Sequence, residues 1–342
     1  MQRYLDGILA EHAGVHQGAL ASYIPELAEV DPSGFGLALS SSDGYVYESG
    51  DADVQFTMQS ISKPFTYALA LDQLGQDDVD ARIGVEPSGE GFNKISVDQV
   101  TNVPKNPMIN AGAIVACSLI PGKTVDDRFE LVREFFSACA GRNLDFDEAV
   151  YQSERSTGSR NRGIAYLLES FGALGADPDD ALDLYIRQCS LKVTSTDLAR
   201  MAATLARGGL NPLTGRRVTD AAVVRRTLSV MVTCGMYDAA GAWVSAVGSD
   251  FGSSPSTGRA GASERGSVPT FWRKRATEVF RFDSARIAWE RAEDRRASAC
   301  ATSVRVTSPT WNRSLVWRNC SSSTSTLLRL RLRIAVSRST FM

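Results

Sequence analysis

Along the chain, short strand-like blocks of apolar residues hand over to helical spacing close to residue 60. Gly34–Leu39 and Tyr45–Tyr47 read as two strands around Ser41-Ser42-Asp43-Gly44, and an Asp-Gly pair between such runs is a hairpin signal. A short helix over 4–12, with Leu5, Ile8 and Leu9 on one side, precedes them. In Tyr23-Ile24-Pro25-Glu26-Leu27 the proline enforces an extended approach. Val54–Met58 is extended and delivers the chain to Ser60. From there Phe65, Ala68, Leu69 and Leu71 follow at helical spacing up to Gly75, a helix stop.

Residues 75–107 are loop-rich, with Pro87-Ser88-Gly89-Glu90-Gly91 and two further prolines, Pro104 and Pro107. Loops of that length in a compact domain are more often functional than idle. Ile109–Cys117 predicts a very apolar, small-residue helix that packs centrally. Thr124 with Asp127 resembles a capping arrangement before an amphipathic helix ending at Gly141. Ser153–Arg162 reads as a polar loop leading into a helix over Ile164–Phe171, and Asp177-Pro178 starts another. Further helices are expected from Thr196-Asp197 to Gly208-Gly209 and over Thr219–Thr233. The pattern is α/β in class, a sheet packed by helices beside a helical lobe.

The chain has 342 residues, of which 43% are hydrophobic, ample for a sizeable core. It contains no 18-residue apolar run for a membrane span, and Met1–Gly7 lacks a signal-peptide pattern, so the cytoplasm is the expected compartment. Six cysteines, Cys117, Cys139, Cys189, Cys234, Cys300 and Cys320, form no C-x-x-C pair and read as reduced packing residues. The only histidines are His12 and His16, expected on an exposed helix or loop; they leave almost nothing from which to build a Ser-His-Asp triad or a multi-His zinc centre. No metal or other cofactor is called for.

Charge divides the chain. The net −2 combines 17 basic and 7 acidic side chains in residues 249–342 with 20 basic and 32 acidic in residues 1–248. A nucleic-acid-binding extension would rest on that charge alone, without a fold motif. No nucleic-acid partner is expected.

Chemistry concentrates in Gln59-Ser60-Ile61-Ser62-Lys63-Pro64. Residues three apart on a helix are neighbours, so Ser60 and Lys63 share a face. Pro64 is tolerated only in a first turn, which puts the helix start close to Ser60. A lysine there can act as base for the hydroxyl if desolvation removes its proton. With six lysines in a serine-rich chain, about one such tetrad is expected by chance. Taken singly, Asn110 could cap its helix, and Tyr185 and Tyr237 could be packing tyrosines.

Seven stretches in order are similar to the serine-dependent glutaminases: Tyr23–Leu27, Gln59–Lys63, Asn106–Ile114, Ser153-Glu154-Arg155 with Arg160-Asn161, Leu184-Tyr185 with Gln188-Cys189-Ser190, Gly208-Gly209 to Gly215, and Cys234–Asp238. The resemblance implies the fold of serine β-lactamases and transpeptidases, and hydrolysis of L-glutamine to L-glutamate and ammonia through an ester on Ser60, with Lys63 as base and no cofactor. It places Tyr185 and Tyr237 beside that pair, and Gln59, Asn110, Glu154, Asn161 and Tyr23 around the substrate. It also implies a homodimer or homotetramer. The resemblance runs over roughly residues 4 to 248, within a catalytic domain expected over 1–248; the family then continues with Lys-Ser-Gly and several glycines on a strand lining the site, where this chain reads Ser249–Pro255. That departure marks 249–342 as a non-homologous Ser/Arg-rich tail. It also raises a second reading, a disabled glutamine-binding remnant. A penicillin-interacting hydrolase is the rival among enzymes with Ser-x-x-Lys.

Overall fold

A computed structural model of the chain describes residues 1–15 and 19–247. His16, Cys300, Cys320, the Ser249–Pro255 segment and the rest of the tail fall outside the described residues.

Helix α1 (Gln2–His12) lies across a hairpin of β1 (Gly36–Ser40) and β2 (Val46–Gly50), antiparallel with Gly36 opposite Gly50 and Ser40 opposite Val46. The short helix α2 (Pro25–Ala28) joins α1 to the hairpin. Strand β3 (Phe56–Thr57) leads through a 3-10 turn, Gln59–Ser62, into α3 (Lys63–Leu74) and the short α4 (Gln76–Asp80). Beyond the long loop come α5 (Asn110–Ser118), α6 (Val125–Ala140), β4 (Asp145–Phe146), α7 (Glu148–Thr157), α8 (Ser159–Ser170) and α9 (Pro178–Cys189). Strand β5 (Leu191–Val193), α10 (Ser195–Ala206), α11 (Ala221–Cys234), a 3-10 turn Tyr237–Ala239 and α12 (Ala240–Val247) complete the described chain. The sheet structure among the described residues is the β1–β2 hairpin and a three-stranded antiparallel sheet with β5 between β3 and β4, as the α/β class requires.

The core forms around α5. Every residue from Asn110 to Ser118 is buried, and the helix packs against α3, α8 and α9. Small side chains make this possible: a Cβ on Gly112 would meet the Asn106 carbonyl oxygen at 1.9 Å. On the facing helix, Phe65 and Leu69 are buried, and full burial of such side chains contributes about 1.5–3 kcal/mol each. Four described cysteines are free and buried in this core. No helix among the described residues is long and apolar enough to cross a membrane.

Helix ends follow local rules where the rules are strong. Thr124 and Asp127 form the expected capping box of α6, and Gly141 ends that helix in the left-handed conformation at φ 79°. Other boundaries differ from expectation. The α10 cap is Thr194, with Asp197 as its reciprocal partner, two residues before the expected start. The expected polar loop over 153–162 is helical, spanning the end of α7 and the start of α8. Asp147 caps α7 by accepting from the Val150 N–H at 3.1 Å, and Val150 and Tyr151 bury its inner face, so polar outer positions do not oppose helix. His12 is buried rather than exposed, on the helix that packs against the hairpin. Asn110 does not cap α5. No side chain caps that helix; the Asn106 side chain organises the turn before it, accepting from the N–H groups of Met108 at 3.0 Å and Ile109 at 3.3 Å.

Candidate active site

A strained turn presents the serine. The Met58 N–H donates to the Leu191 carbonyl at 2.8 Å, the last ladder bond before the chain turns. Gln59 then adopts φ 49°, a left-handed conformation that costs a non-glycine residue about 1–3 kcal/mol. Its buried amide donates to Thr57 Oγ1 at 3.2 Å, which anchors the turn to β3. Ser60 emerges half-buried on the 3-10 turn, and Lys63 opens α3 with Pro64 in the first helical turn. Lys63 Nζ donates to Ser60 Oγ at 3.0 Å while the lysine is only 1% exposed. Burial in low dielectric works against the charged form of an amine, and the same geometry serves proton transfer in the opposite direction.

Two polar groups stand nearby on α5, α7, α8 and α9. The Tyr23 phenol donates to Glu154 Oε1 at 2.7 Å. Asn110 Nδ2 donates to Asn161 Oδ1 at 3.1 Å, and the Tyr185 phenol donates to Asn110 Oδ1 at 3.3 Å. The first group supplies negative charge; the second leaves the Asn161 NH2 to donate. A zwitterionic amino acid needs that pairing, a carboxylate for its ammonium and neutral donors for its carboxylate.

Burial and mutual charge tie these groups together. Burial pushes the Tyr185 phenol well up, and the charge of Glu154 and the proximity of Cys189, Cys117 and Tyr237 push it further. Burial likewise lifts the Cys189 thiol to about 12, helped by Glu154 and opposed by the Lys63 charge. Cys189 therefore feels both Lys63 and Glu154. Tyr237, like Gln59, has a left-handed backbone, at φ 50°, and its phenol donates to the Met108 carbonyl at 3.2 Å, just before α5.

Sequence reasoning missed Phe92. It lies in the loop between α4 and α5, and its ring centre stands 5.3 Å from Lys63 Nζ and 5.8 Å from the Tyr237 ring. One phenylalanine in a polar, glycine-rich stretch carries no signal of that placement.

Comparison with known proteins fits this geometry. A glutaminase family profile matches residues 18–255. The chain is 50% identical over 247 residues to a glutaminase of Corynebacterium glutamicum, covering 72% of this chain and 60% of that protein. It is 52% identical over 248 residues to glutaminase 2 of Bradyrhizobium diazoefficiens, covering 72% of this chain and 40% of the relative. Among solved structures, Mglu in its native form superposes with a TM-score of 0.70 at 44% identity, over 72% of this chain and 60% of that one. The chain thus spans about half the length of the curated relatives it matches.

Proposed function

Since the chain belongs to the glutaminase family, we propose that it hydrolyses L-glutamine to L-glutamate and ammonia at Ser60. The observation that carries this reading is the 3.0 Å bond between the buried Lys63 amine and Ser60 Oγ. Neutral Lys63 takes the hydroxyl proton as Ser60 attacks the side-chain amide carbon. It returns that proton to the departing nitrogen, so ammonia leaves and a γ-glutamyl ester remains on Ser60. Water, deprotonated by the same amine, attacks the ester; glutamate departs and the serine regains its proton. No redox partner enters the balance.

In this reading Glu154, oriented by Tyr23, holds the substrate α-ammonium, and Asn110 and Asn161 hold its α-carboxylate. Tyr185 keeps Asn110 in place and Tyr237 flanks the base; Gln59 sets the turn through Thr57. Pairing both charges discriminates against simple amides, because a substrate lacking either group leaves a half-buried partner unpaired. Related Mglu has been solved in a glutamate form, which supports an amino-acid ligand for this pocket. We place the catalytic unit in residues 1–248 and expect it to act in the cytoplasm as a homodimer or homotetramer.

The test is glutamate release from L-glutamine by the purified full-length chain, with Ser60→Ala and Lys63→Ala as controls. Release abolished in both variants, with circular dichroism unchanged, is the expected result. A folded chain that releases no glutamate, or a Lys63→Ala variant with undiminished turnover, overturns the proposal.

A further inference from the structure

The loop that carries Phe92 is fastened along its length. Gly84 and Glu86 donate their N–H groups to the carbonyls of Pro104 and Lys105 at 2.8 and 2.9 Å, and Lys105 donates to the Ser96 carbonyl at 3.0 Å. At its tip, the Phe92 carbonyl accepts from the Asn110 N–H at 3.0 Å, at the first turn of α5. The next carbonyl, of Asn93, accepts from Arg160 Nε on α8 at 3.1 Å. Two elements bearing substrate groups thus hold the backbone on either side of one peptide unit. The ring has little freedom to leave Lys63 and Tyr237.

A phenyl ring cannot carry a proton, so its contribution must come through its neighbours. We propose that Phe92 is a positioning residue for the hydrolysis proposed above, on which this inference rests: its ring closes the Nζ end of Lys63 to water and, with Tyr237, presses that end toward Ser60. Two effects of the ring oppose one another. Excluding water disfavours the ammonium, by up to about 3–5 pH units for a fully buried amine. The ring face attracts an ammonium and favours it, but more weakly. Exclusion wins, and the ring helps keep the lysine in its basic form.

Titratable groups stand near Lys63 on several elements. Ser60 stands on its own turn, Tyr237 lies across Phe92, and α9 contributes Cys189 and Tyr185. From α7, Glu154 acts on both α9 groups. Phe92 is uncharged, so replacing it changes solvent access without adding or removing a charge.

The experiment is a pH titration of lysine 13Cε resonances in the full-length chain. Six lysines make the spectrum simple, and Lys63 is identified by the signal lost in Lys63→Arg. In Phe92→Ala the Lys63 titration should move upward by about one pH unit, whereas Phe92→Tyr should keep the parent midpoint. The kcat for glutamine should fall about tenfold in Phe92→Ala, with KM changed less. Should Phe92→Ala not fold, Phe92→Val leaves part of the cover and should move the midpoint the same way by a smaller amount. A Lys63 midpoint identical in the parent and the folded variants overturns the inference. The titration needs no turnover, so it judges Phe92 separately from the hydrolysis: turnover lost in Ser60→Ala beside an unmoved Lys63 midpoint would leave the reaction standing and remove the role of Phe92.

Discussion

The Tyr23 phenol donates to Glu154 Oε1 at 2.7 Å, joining residues 131 apart in sequence. Beside it, Ser153 Oγ donates to Glu26 Oε1, also at 2.7 Å. Two bonds between adjacent residues of α7 and one short segment fix how the segment around α2 lies on α7. Tyr23 therefore orients the Glu154 carboxylate, and under the proposed reading, in which that carboxylate meets the substrate ammonium, removing the hydroxyl should loosen binding more than chemistry. Hydrogen bonds to charged groups contribute about 1.5–3 kcal/mol, so Tyr23→Phe should raise KM for glutamine by roughly tenfold or more with kcat nearly kept. Steady-state kinetics with an unchanged KM would remove Tyr23 from the substrate site.

Gly112 is where α5 meets the Asn106-Pro107 backbone. An added Cβ would lie 1.9 Å from the Asn106 oxygen and 2.9 Å from the Pro107 Cα, neither of which is the end of a flexible side chain. Gly112→Ala must push the loop off the helix and disturb the Asn106 turn with it. A loss of about 3 kcal/mol or more is expected in urea unfolding, with activity lost in parallel. A variant as stable as the parent would show that the helix and loop do not approach so closely.

Arg142 forms a two-pronged pair with Asp197, Nε to Oδ1 at 2.9 Å and Nη2 to Oδ2 at 2.6 Å, joining the end of α6 to the start of α10. The Asp197 side chain is only 2% exposed, while that of Arg142 is 31% exposed. Arg142→Ala leaves a buried carboxylate with only backbone N–H and cap partners, a loss of roughly 2 kcal/mol. Arg142→Lys should recover only part of it, because an ammonium cannot reproduce the two-pronged fork. Equal denaturation midpoints for all three proteins would contradict this.

Alkaline pH should unfold the protein through its buried acids. Burial first, and a nearby carboxylate second, lift Cys189 to about 12 and Cys234 to about 11. Burial also lifts Cys117 and Tyr185 well above their ordinary values. An unfolded cysteine titrates near 8.5, so above that pH the unfolded chain sheds protons that the folded chain retains. Stability from these groups is complete below about pH 8 and is lost as pH rises through 9 toward 12. Tm measured across that range should fall steadily, and Cys189→Ala should flatten part of the fall. A Tm constant from pH 8 to 10.5 would count against this burial.

Several features were readable from residue order because their causes are local. The Asp43-Gly44 hairpin, the α6 capping box and the Gly141 stop depend on groups within a few residues of one another. Ser60 and Lys63 belong to the same class: one helical turn suffices to bring them together. The polar stretch 153–162 did not yield to that approach, since its helix is decided by which side of Val150 and Tyr151 meets the core.

By itself, the sequence determined the helical centre at Ile109–Cys117, the strand-to-helix delivery of Ser60 and, through seven ordered stretches, the family. Only the tertiary structure decided that Phe92 lies over Lys63, that Asn110 meets Asn161 instead of capping α5, and that His12 is inside. The physical reason is range. Periodicity and capping act over one or two turns, whereas a cover, a buried neighbour and a Glu154 carboxylate held by a distant phenol exist only once the loop, α5, α7 and α9 have packed.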